Sequence, residues 1–182
     1  MQRENSRQGH QPASHFTIRD AQLSDIPRIS EIYNQSISTV ATYDIDPEPI
    51  DTRYQWFLSL EKATMPVLVA VNHDDHVLGW GALSPFNPRP GFRFTLENSL
   101  YVCNSALGQG IGKALLRSLL TRAVKLNCHC LIAKIDSSNI PSIRLHEQAG
   151  FVHAGILKQA GFKFDRFLDV TIMQFFCNDR SN

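Results

Sequence analysis

The segment ALGQGIGKALL, residues 106–116, begins with small and polar residues and passes into an aliphatic run. Its centre combines three glycines with a glutamine, an isoleucine and a lysine: Gly108, Gln109, Gly110, Ile111, Gly112 and Lys113. Glycine lets a backbone curl so that successive N–H groups point outward, and a helix that follows adds the positive end of its dipole. The segment therefore predicts either a cradle for a phosphate or a flexible turn that leads from a strand into a helix.

Two common phosphate-binding motifs do not fit this segment. A P-loop, G-x-x-x-x-G-K-[ST], requires a glycine where Leu107 stands and a hydroxyl where Ala114 stands. The dinucleotide fingerprint G-x-G-x-x-G fits Gly108 and Gly110, but its third glycine is replaced by Lys113. If the segment binds an anion, its spacing therefore indicates a cradle of another kind.

Strand and helix patterns alternate along the rest of the chain. Apolar runs predict strands over 16–20, 67–71, 77–85, 93–102, 128–136, 152–157 and 169–176. Helical spacing predicts helices that begin at Ser24 or Asp25, at Asp51 or Thr52, at Gly110 and after Asn139, the last one stopped by Gly150. Residues 44–51 and 86–92 are predicted loops, and residues 158–168 are expected to join the last two strands. This order predicts one mixed α/β, or α+β, domain around a single sheet.

Length and composition limit the class of protein. The 182 residues suit one domain, predicted over 16–177, with a polar leader at 1–15 and a short tail at 178–182. A hydrophobic fraction of 43% is ordinary for a globular protein. The net charge of +1 gives no electrostatic reason to expect nucleic acid or an anionic membrane as a partner. We find no apolar run near the ~20 residues of a membrane helix and no export signal, so we predict a cytoplasmic protein with reduced cysteines.

The sequence Cys128-His129-Cys130 invites a metal-site interpretation. On a strand, however, Cys128 and Cys130 share one face and His129 points to the other. A second C-x-x-C or histidine pair that would complete the ligand set is missing from the sequence. The pattern therefore favours buried thiols, and no metal is predicted.

The glycine segment and the LYV before it (100–102) resemble the acetyl-CoA-binding segment of the GNAT acetyltransferases. The resemblance covers residues 16–176, and four stretches carry it in order: IRDAQLSDIPRISEIYNQSI, FRFTLENSLYV, NIPSIRLHEQAGF and GFKFDRFLDVTIMQ. They are similar to the branch that acetylates phosphinothricin and methionine sulfoximine or sulfone. The resemblance implies the GNAT fold, a central twisted mixed sheet of about seven strands flanked by about four helices. It also implies acetyl-CoA as co-substrate, no metal and a homodimer.

The resemblance also indicates which residues hold acetyl-CoA. Backbone groups of the cradle and of the preceding strand end would meet the pyrophosphate and the pantetheine arm, and Asn139 would hold the arm by its amide. The implied set is Leu100, Tyr101, Val102, Leu107, Gly108, Gln109, Gly110, Ile111, Gly112, Lys113, Asn139, Ser142 and Gln148. One position departs from the family pattern [QR]-x-x-G-x-[GA], because Leu107 stands where glutamine or arginine is usual. The N–H groups of the cradle remain, but one side-chain contact to pyrophosphate is lost.

Two titratable residues are candidates for acetyl transfer, in which the amine loses a proton and the thiolate leaving group gains one. Glu97 lies within a predicted strand, where a carboxylate is unusual, and is either an edge-strand charge or a catalytic group. His146 lies on the last predicted helix, either packed beside Leu145 or placed to transfer a proton near neutral pH. The resemblance implies that Glu97 is the general base and His146 the general acid. Direct attack of the amine on a bound thioester needs no enzyme nucleophile.

The candidates for the acceptor pocket are Tyr33, Phe86, Phe92 and Arg93. Arg93, predicted one residue into its strand, either grips an acidic group of the acceptor or is an ordinary surface charge. The resemblance implies an acyltransferase acting on the α-amine of a small amino-acid-like substrate. Acetylation of a protein or peptide amine and a non-catalytic acyl-CoA-binding module stay open as alternatives. The aromatic C-terminal residues belong either to a dimer interface or to the core.

Overall fold

The computed structural model describes residues 15–177. The predicted leader, apart from residue 15, and the predicted tail lie outside this range. Seven strands are formed: β1 Thr17–Asp20, β2 Val67–Val71, β3 Val77–Pro85, β4 Thr95–Val102, β5 Cys130–Asp136, β6 Val152–Lys163 and β7 Arg166–Phe176. Four α-helices accompany them: α1 Ile26–Gln35, α2 Ile50–Lys62, α3 Ile111–Lys125 and α4 Ile140–Gln148.

All seven strands form one sheet in the order β1-β2-β3-β4-β5-β7-β6. Neighbouring strands are antiparallel except for β4 and β5, which are parallel. The predicted fold, a mixed sheet of seven strands with four helices, is confirmed. No helix within residues 15–177 has the length and apolar character needed to cross a membrane.

Helices pack on both faces of the sheet. Along β3, a Cβ added at Gly79 or Gly81 would meet α3, whereas Trp80 lies against Tyr33 of α1 and Trp56 of α2. Because side chains alternate across a strand, α3 covers one face and the α1–α2 pair covers the other. The core on both faces is aliphatic and aromatic, and Trp80 is only 1% exposed.

The sheet opens between its two parallel strands. β4 pairs with β5 over three residue pairs only, of which the last joins Glu97 to Ile132. Beyond that pair, β4 stays bonded to β3 as far as Val102, and β5 stays bonded to β7 as far as Asp136. Each strand therefore follows its outer neighbour, and the two diverge into a gap that places the site described below.

The strand predicted over 128–136 is two residues shorter in the structure. Cys128 and His129 precede β5, so the predicted alternation of strand faces is wrong for this tripeptide. The Cys128 thiol donates to the Cys130 carbonyl oxygen at 3.2 Å. Within residues 15–177 no group of three or more His, Cys, Asp or Glu side chains is arranged to hold a metal ion.

The chain between the last two predicted strands is not a loop but part of a long hairpin. β6 and β7 continue through residues 158–168 and are joined by Phe164 and Asp165 alone. Both turn residues have positive φ, 54° and 55°, a conformation usually supplied by Asn-Gly or Asp-Gly. The usual sequence signal for a tight hairpin is therefore missing.

The strand predicted from Arg93 begins two residues later, at Thr95. Arg93 instead follows a single 3-10 turn, Pro90–Phe92, within the predicted loop. Its side chain donates to the Pro90 carbonyl oxygen at 3.3 Å and lies over the Phe94 ring.

Candidate active site

A cavity of about 910 Å³ occupies the gap between β4 and β5. Its wall includes both catalytic candidates, Glu97 and His146. It also includes eleven of the thirteen residues implied for acetyl-CoA: Leu100, Tyr101, Val102, Leu107, Gly108, Gly110, Ile111, Gly112, Lys113, Asn139 and Ser142. The fold thus brings the glycine segment, the end of β4 and the start of α4 to one space.

The other two implied residues lie outside this wall. The Gln109 side chain turns back to donate to the Ser105 carbonyl oxygen at 3.3 Å. Gln148 lines a separate cavity of about 370 Å³ together with Lys113 and Arg117.

The glycine segment adopts a conformation that favours glycine. Gly108 and Gly110 have φ of 77° and 82°, and Gly110 is the N-cap of α3. A Cβ at either position would meet nothing within 4 Å, so backbone conformation rather than space is the constraint there. Within the described chain no side chain caps α3, which leaves the N–H groups of its first turn available to an anion. Leu107 is 62% exposed beside them.

Asn139 begins α4 on the same side of the cavity. Its Oδ1 accepts a hydrogen bond from the Ser142 backbone N–H at 3.2 Å and so caps the helix. Because the cap occupies Oδ1, the amide nitrogen is the group of Asn139 suited to meet a ligand.

Glu97 lies where the sheet begins to open, in the last residue pair that joins β4 to β5. Its Oε2 forms an ion pair with Lys134 Nζ at 2.8 Å, and the Glu97 side chain is 21% exposed. Alternation along β4 places Glu97 on the same face as Tyr101, the face covered by α1 and α2.

His146 is buried, and both ring nitrogens have partners. Nδ1 lies 2.8 Å from the Ser142 carbonyl oxygen, and Nε2 lies 3.0 Å from the Asn98 amide nitrogen. A carbonyl oxygen only accepts, so Nδ1 carries the proton and Nε2 accepts from Asn98. Burial lowers the pKa of His146, which favours this neutral form.

Asn98 was not predicted as a site residue. Its side chain is on the α3 face of β4, and its buried Oδ1 has no hydrogen-bond partner among residues 15–177. A polar residue at the centre of TLENSLYV is the only sequence signal that could have identified it.

A second set of unpredicted residues lines the face covered by α1 and α2. These residues come from the loop after α1, from β5 and from the last hairpin: Thr39, Thr42, Tyr43, Lys134, Asp136, Leu157 and Gly161. The loop is held by buried Lys163, whose Nζ donates to the carbonyl oxygens of Thr39 at 2.9 Å and Thr42 at 2.7 Å. Burial lowers the pKa of Lys163.

The residues predicted for the acceptor pocket do not line this cavity. The Tyr33 hydroxyl bonds to Thr42 Oγ1 at 2.9 Å and to Asp44, and its ring packs edge-on against Tyr101. Phe86 and Phe92 pack on each other with ring centroids 5.6 Å apart, in the loop that also carries Arg93. Tyr33 thus packs against Tyr101 of the cavity wall, and the other three residues lie in a loop outside that wall.

Comparison with known proteins gives consistent matches over most of the chain. Residues 26–151 match the model of the Acetyltransferase (GNAT) family. An L-methionine sulfoximine/L-methionine sulfone acetyltransferase of Pseudomonas aeruginosa is 39% identical over 159 residues, 87% of this chain and 92% of that protein. A phosphinothricin N-acetyltransferase of Alcaligenes faecalis is 38% identical over 161 residues, 87% of this chain and 81% of that protein.

A solved structure has the same architecture. A GNAT superfamily phosphinothricin acetyltransferase from Sinorhizobium meliloti in complex with AcCoA matches with a TM-score of 0.86 and 37% identity. The match covers 89% of this chain and 88% of that one.

Proposed function

The chain belongs to the GNAT family of acetyltransferases and uses acetyl-CoA as its acetyl donor, and from this premise we propose an activity for its cavity. It acetylates the α-amine of a small amino-acid-like acceptor, of the methionine sulfoximine, methionine sulfone or phosphinothricin type. The observation that carries the proposal is the single cavity that joins the glycine cradle to the carboxylate of Glu97. The relatives named above act on acceptors of this class.

We propose that acetyl-CoA lies on the α3 side of the cavity. The positive-φ backbone at Gly108 and Gly110 and the N-terminus of α3 suit the pyrophosphate, with Lys113 beside it. β4 beyond Glu97 is unpaired toward β5, so its backbone suits the amides of the pantetheine arm. The Asn139 amide nitrogen and Ser142 would hold the same arm.

Glu97 is proposed as the general base. It stands on the α1–α2 face, opposite the proposed acetyl-CoA side, at the point where the opening in the sheet begins. Glu97 takes a proton from the amine, whose nitrogen then bonds to the thioester carbonyl carbon as the carbon–sulfur bond breaks. Positioning of amine and thioester in one cavity supplies much of the rate.

His146 is proposed to return a proton to the thiolate. In the structure its Nε2 accepts from Asn98, so the acid form requires a proton on Nε2. A turn of the Asn98 amide would bring its unpartnered Oδ1 to that N–H. An ammonium acceptor loses two protons and the thiol gains one, so each turnover releases one proton.

Thiol release in the presence of acetyl-CoA tests the function. We expect turnover with methionine sulfoximine, methionine sulfone or phosphinothricin and none with an N-terminal peptide amine. Turnover with peptide alone would support the protein-directed alternative. Binding of acetyl-CoA without turnover of any amine would support the non-catalytic one.

We propose that two copies associate through the last hairpin. β6 is an edge strand of the sheet. Large apolar side chains are exposed on β6, on β7 and in the turn between them: Ile156, Phe162, Phe164 and Phe167. A long apolar edge is a surface for pairing with another chain. Sedimentation should give a dimer, and Phe167→Glu, at a residue 64% exposed, should shift it toward monomer.

We also propose a cytoplasmic location. Cys103, Cys128, Cys130 and Cys177 are free thiols in the structure, the state that a reducing compartment maintains. Cell fractionation followed by the thiol-release assay tests this, and activity confined to a secreted fraction would contradict it.

A further inference from the structure

A buried carboxylate oxygen in the cavity wall lacks a partner. Asp136, the last residue of β5, is 3% exposed and lines the cavity. Its Oδ1 accepts from the Ser138 backbone N–H at 2.8 Å and from the Ser138 hydroxyl. Its Oδ2 receives no hydrogen bond from any group in residues 15–177. Burying such an oxygen without a donor is unfavourable, so the position favours a ligand that brings one.

The Tyr43 hydroxyl is a second buried group without a partner in the described chain. Burial, together with the negative charge of Asp136, raises the pKa of Tyr43 to about 12, so the hydroxyl keeps its proton near neutral pH. The ring lies directly on Gly161, where an added Cβ would stand 3.0 Å and 3.1 Å from two ring atoms. Tyr43 is therefore a hydrogen-bond donor packed against the hairpin, in the same cavity wall as the Asp136 acceptor.

We propose that Asp136 Oδ2 and the Tyr43 hydroxyl form a subsite for the far end of the acceptor's side chain. The subsite selects an uncharged end group that carries both an N–H donor and an oxygen acceptor. A sulfoximine has both on one sulfur atom, and its N–H would donate to Asp136 while its oxygen accepts from Tyr43. The inference rests on the proposed function, since it requires an amino-acid acceptor in this cavity.

The order of groups along β5 indicates which end of the acceptor meets the subsite. Glu97 is paired with Ile132 in the β4–β5 register, and Lys134 and then Asp136 follow Ile132 on the same face of β5. The reacting amine belongs at Glu97. The α-carboxylate is anionic, so it is attracted by Lys134 and repelled by Asp136. The group left to reach Asp136 is the side-chain end.

The contacts with Asp136 and Tyr43 predict a ranking of three acceptors by kcat/KM. A sulfone has nearly the same shape as a sulfoximine but offers two oxygens and no N–H, so it keeps the Tyr43 bond and loses the Asp136 bond. A phosphinate places a negative charge beside the buried Asp136 carboxylate, which is more unfavourable still. The expected order of kcat/KM is methionine sulfoximine, methionine sulfone, phosphinothricin.

The test compares kcat/KM for these three acceptors and for methionine in the wild type and in Asp136→Asn. Asparagine keeps an oxygen for the Ser138 amide and removes the charge. We expect the wild type to prefer sulfoximine over sulfone about tenfold, because the sulfone leaves a buried acceptor unpaired. Asp136→Asn should reduce that preference to about twofold and improve phosphinothricin relative to sulfone about tenfold. Methionine, which lacks the polar end, should respond little.

The Tyr43→Phe variant tests the subsite independently if Asp136→Asn folds poorly. Tyr43→Phe should lower kcat/KM for sulfoximine and sulfone by the same factor and leave methionine unchanged. Asp169→Asn, on the hairpin and outside the cavity wall, is the matched control and should change no ratio. Acetylation of all three acceptors with ratios that neither cavity variant alters would overturn the subsite while the proposed function stands. Failure of the wild type to acetylate any of them would overturn the proposed function itself.

Discussion

The two sides of the cavity are assembled from the chain in different ways. The α3 side comes mainly from two stretches, 100–113 and 139–146, and it includes three glycines, Gly108, Gly110 and Gly112, which present only backbone to the cavity. The α1–α2 side collects side chains from four separated places: 39–43, Glu97, 134–136 and 157–161. A backbone surface depends on φ and ψ and tolerates many side chains. A side-chain surface depends on each residue, so single substitutions should affect the two sides unequally.

The largest effect is expected from Glu97 on the side-chain surface. Glu97→Gln removes the proposed base while it keeps the size of the side chain and its place beside Lys134. We expect turnover to fall about 10²- to 10⁴-fold, the usual contribution of a general base, with the affinity for acetyl-CoA unchanged. Steady-state kinetics together with acetyl-CoA titration measures both.

Glu147→Gln is the matched control for that experiment. Glu147 is on α4, outside the cavity wall, and its side chain is 47% exposed beside His153. Its loss should leave turnover unchanged. Wild-type turnover in Glu97→Gln would remove Glu97 from the mechanism, and an equal loss in both variants would indicate a general effect on the fold.

The next effect is expected from the backbone surface. Gly110→Ala places a Cβ on a residue with φ of 82°, which costs about 1–2 kcal/mol and turns the N–H groups of the cradle if the chain relaxes. We expect acetyl-CoA to bind about tenfold more weakly, with a smaller change in the KM for the amine. Gly91→Ala, at a position without positive φ and with open space around it, is the control. Unchanged acetyl-CoA affinity in Gly110→Ala would mean that the cradle does not use this conformation.

The difference between a side built from continuous stretches and a side built from separated residues also explains what could be predicted from the sequence. The hairpin of β2 and β3 has the predicted bounds, because apolar strand residues flank a polar turn, and the glycines of the cradle are visible as residue types. Tyr43 and Asp136 are far apart in the sequence, and they reach one cavity only because Lys163 holds the loop after α1 and β5 diverges from β4. The turn at Phe164 and Asp165 was missed because one of its two positive φ values falls on Phe164, a bulky aromatic residue that seldom adopts it.

A pH-dependent effect on stability is expected at His146, which lies on the α3 side and bonds to Asn98. Burial lowers its pKa below the ordinary value of 6.5, so between that value and the folded-state pKa the unfolded chain binds more protons. The free energy of unfolding should therefore fall as pH drops below 6.5, by at most about 1.4 kcal/mol per pH unit from this group. Urea unfolding across this range measures the slope.

Three variants resolve the source of that slope. His146→Gln should flatten it, whereas His153→Gln, at an exposed side chain, should not. Asn98→Asp should reverse the sign of the contribution, because a carboxylate facing Nε2 favours the charged ring. An acid slope that stays the same in His146→Gln would assign the effect to other groups.

The smallest effect is expected at Leu107, where a side chain is added to the backbone surface. Leu107 is 62% exposed, so Leu107→Arg would place a cation at the rim of the cradle without removing a packed group. An exposed charge contributes up to about 1 kcal/mol, which tightens acetyl-CoA binding at most about fivefold, and salt should screen the gain. Calorimetric titration at low and high salt measures it, with Leu107→Met as the uncharged control. If Leu107→Arg gains nothing at low salt, the backbone N–H groups of the cradle already hold the anion as well as this site allows; a gain that persists at high salt would mean that the arginine packs against the cofactor instead of attracting its charge.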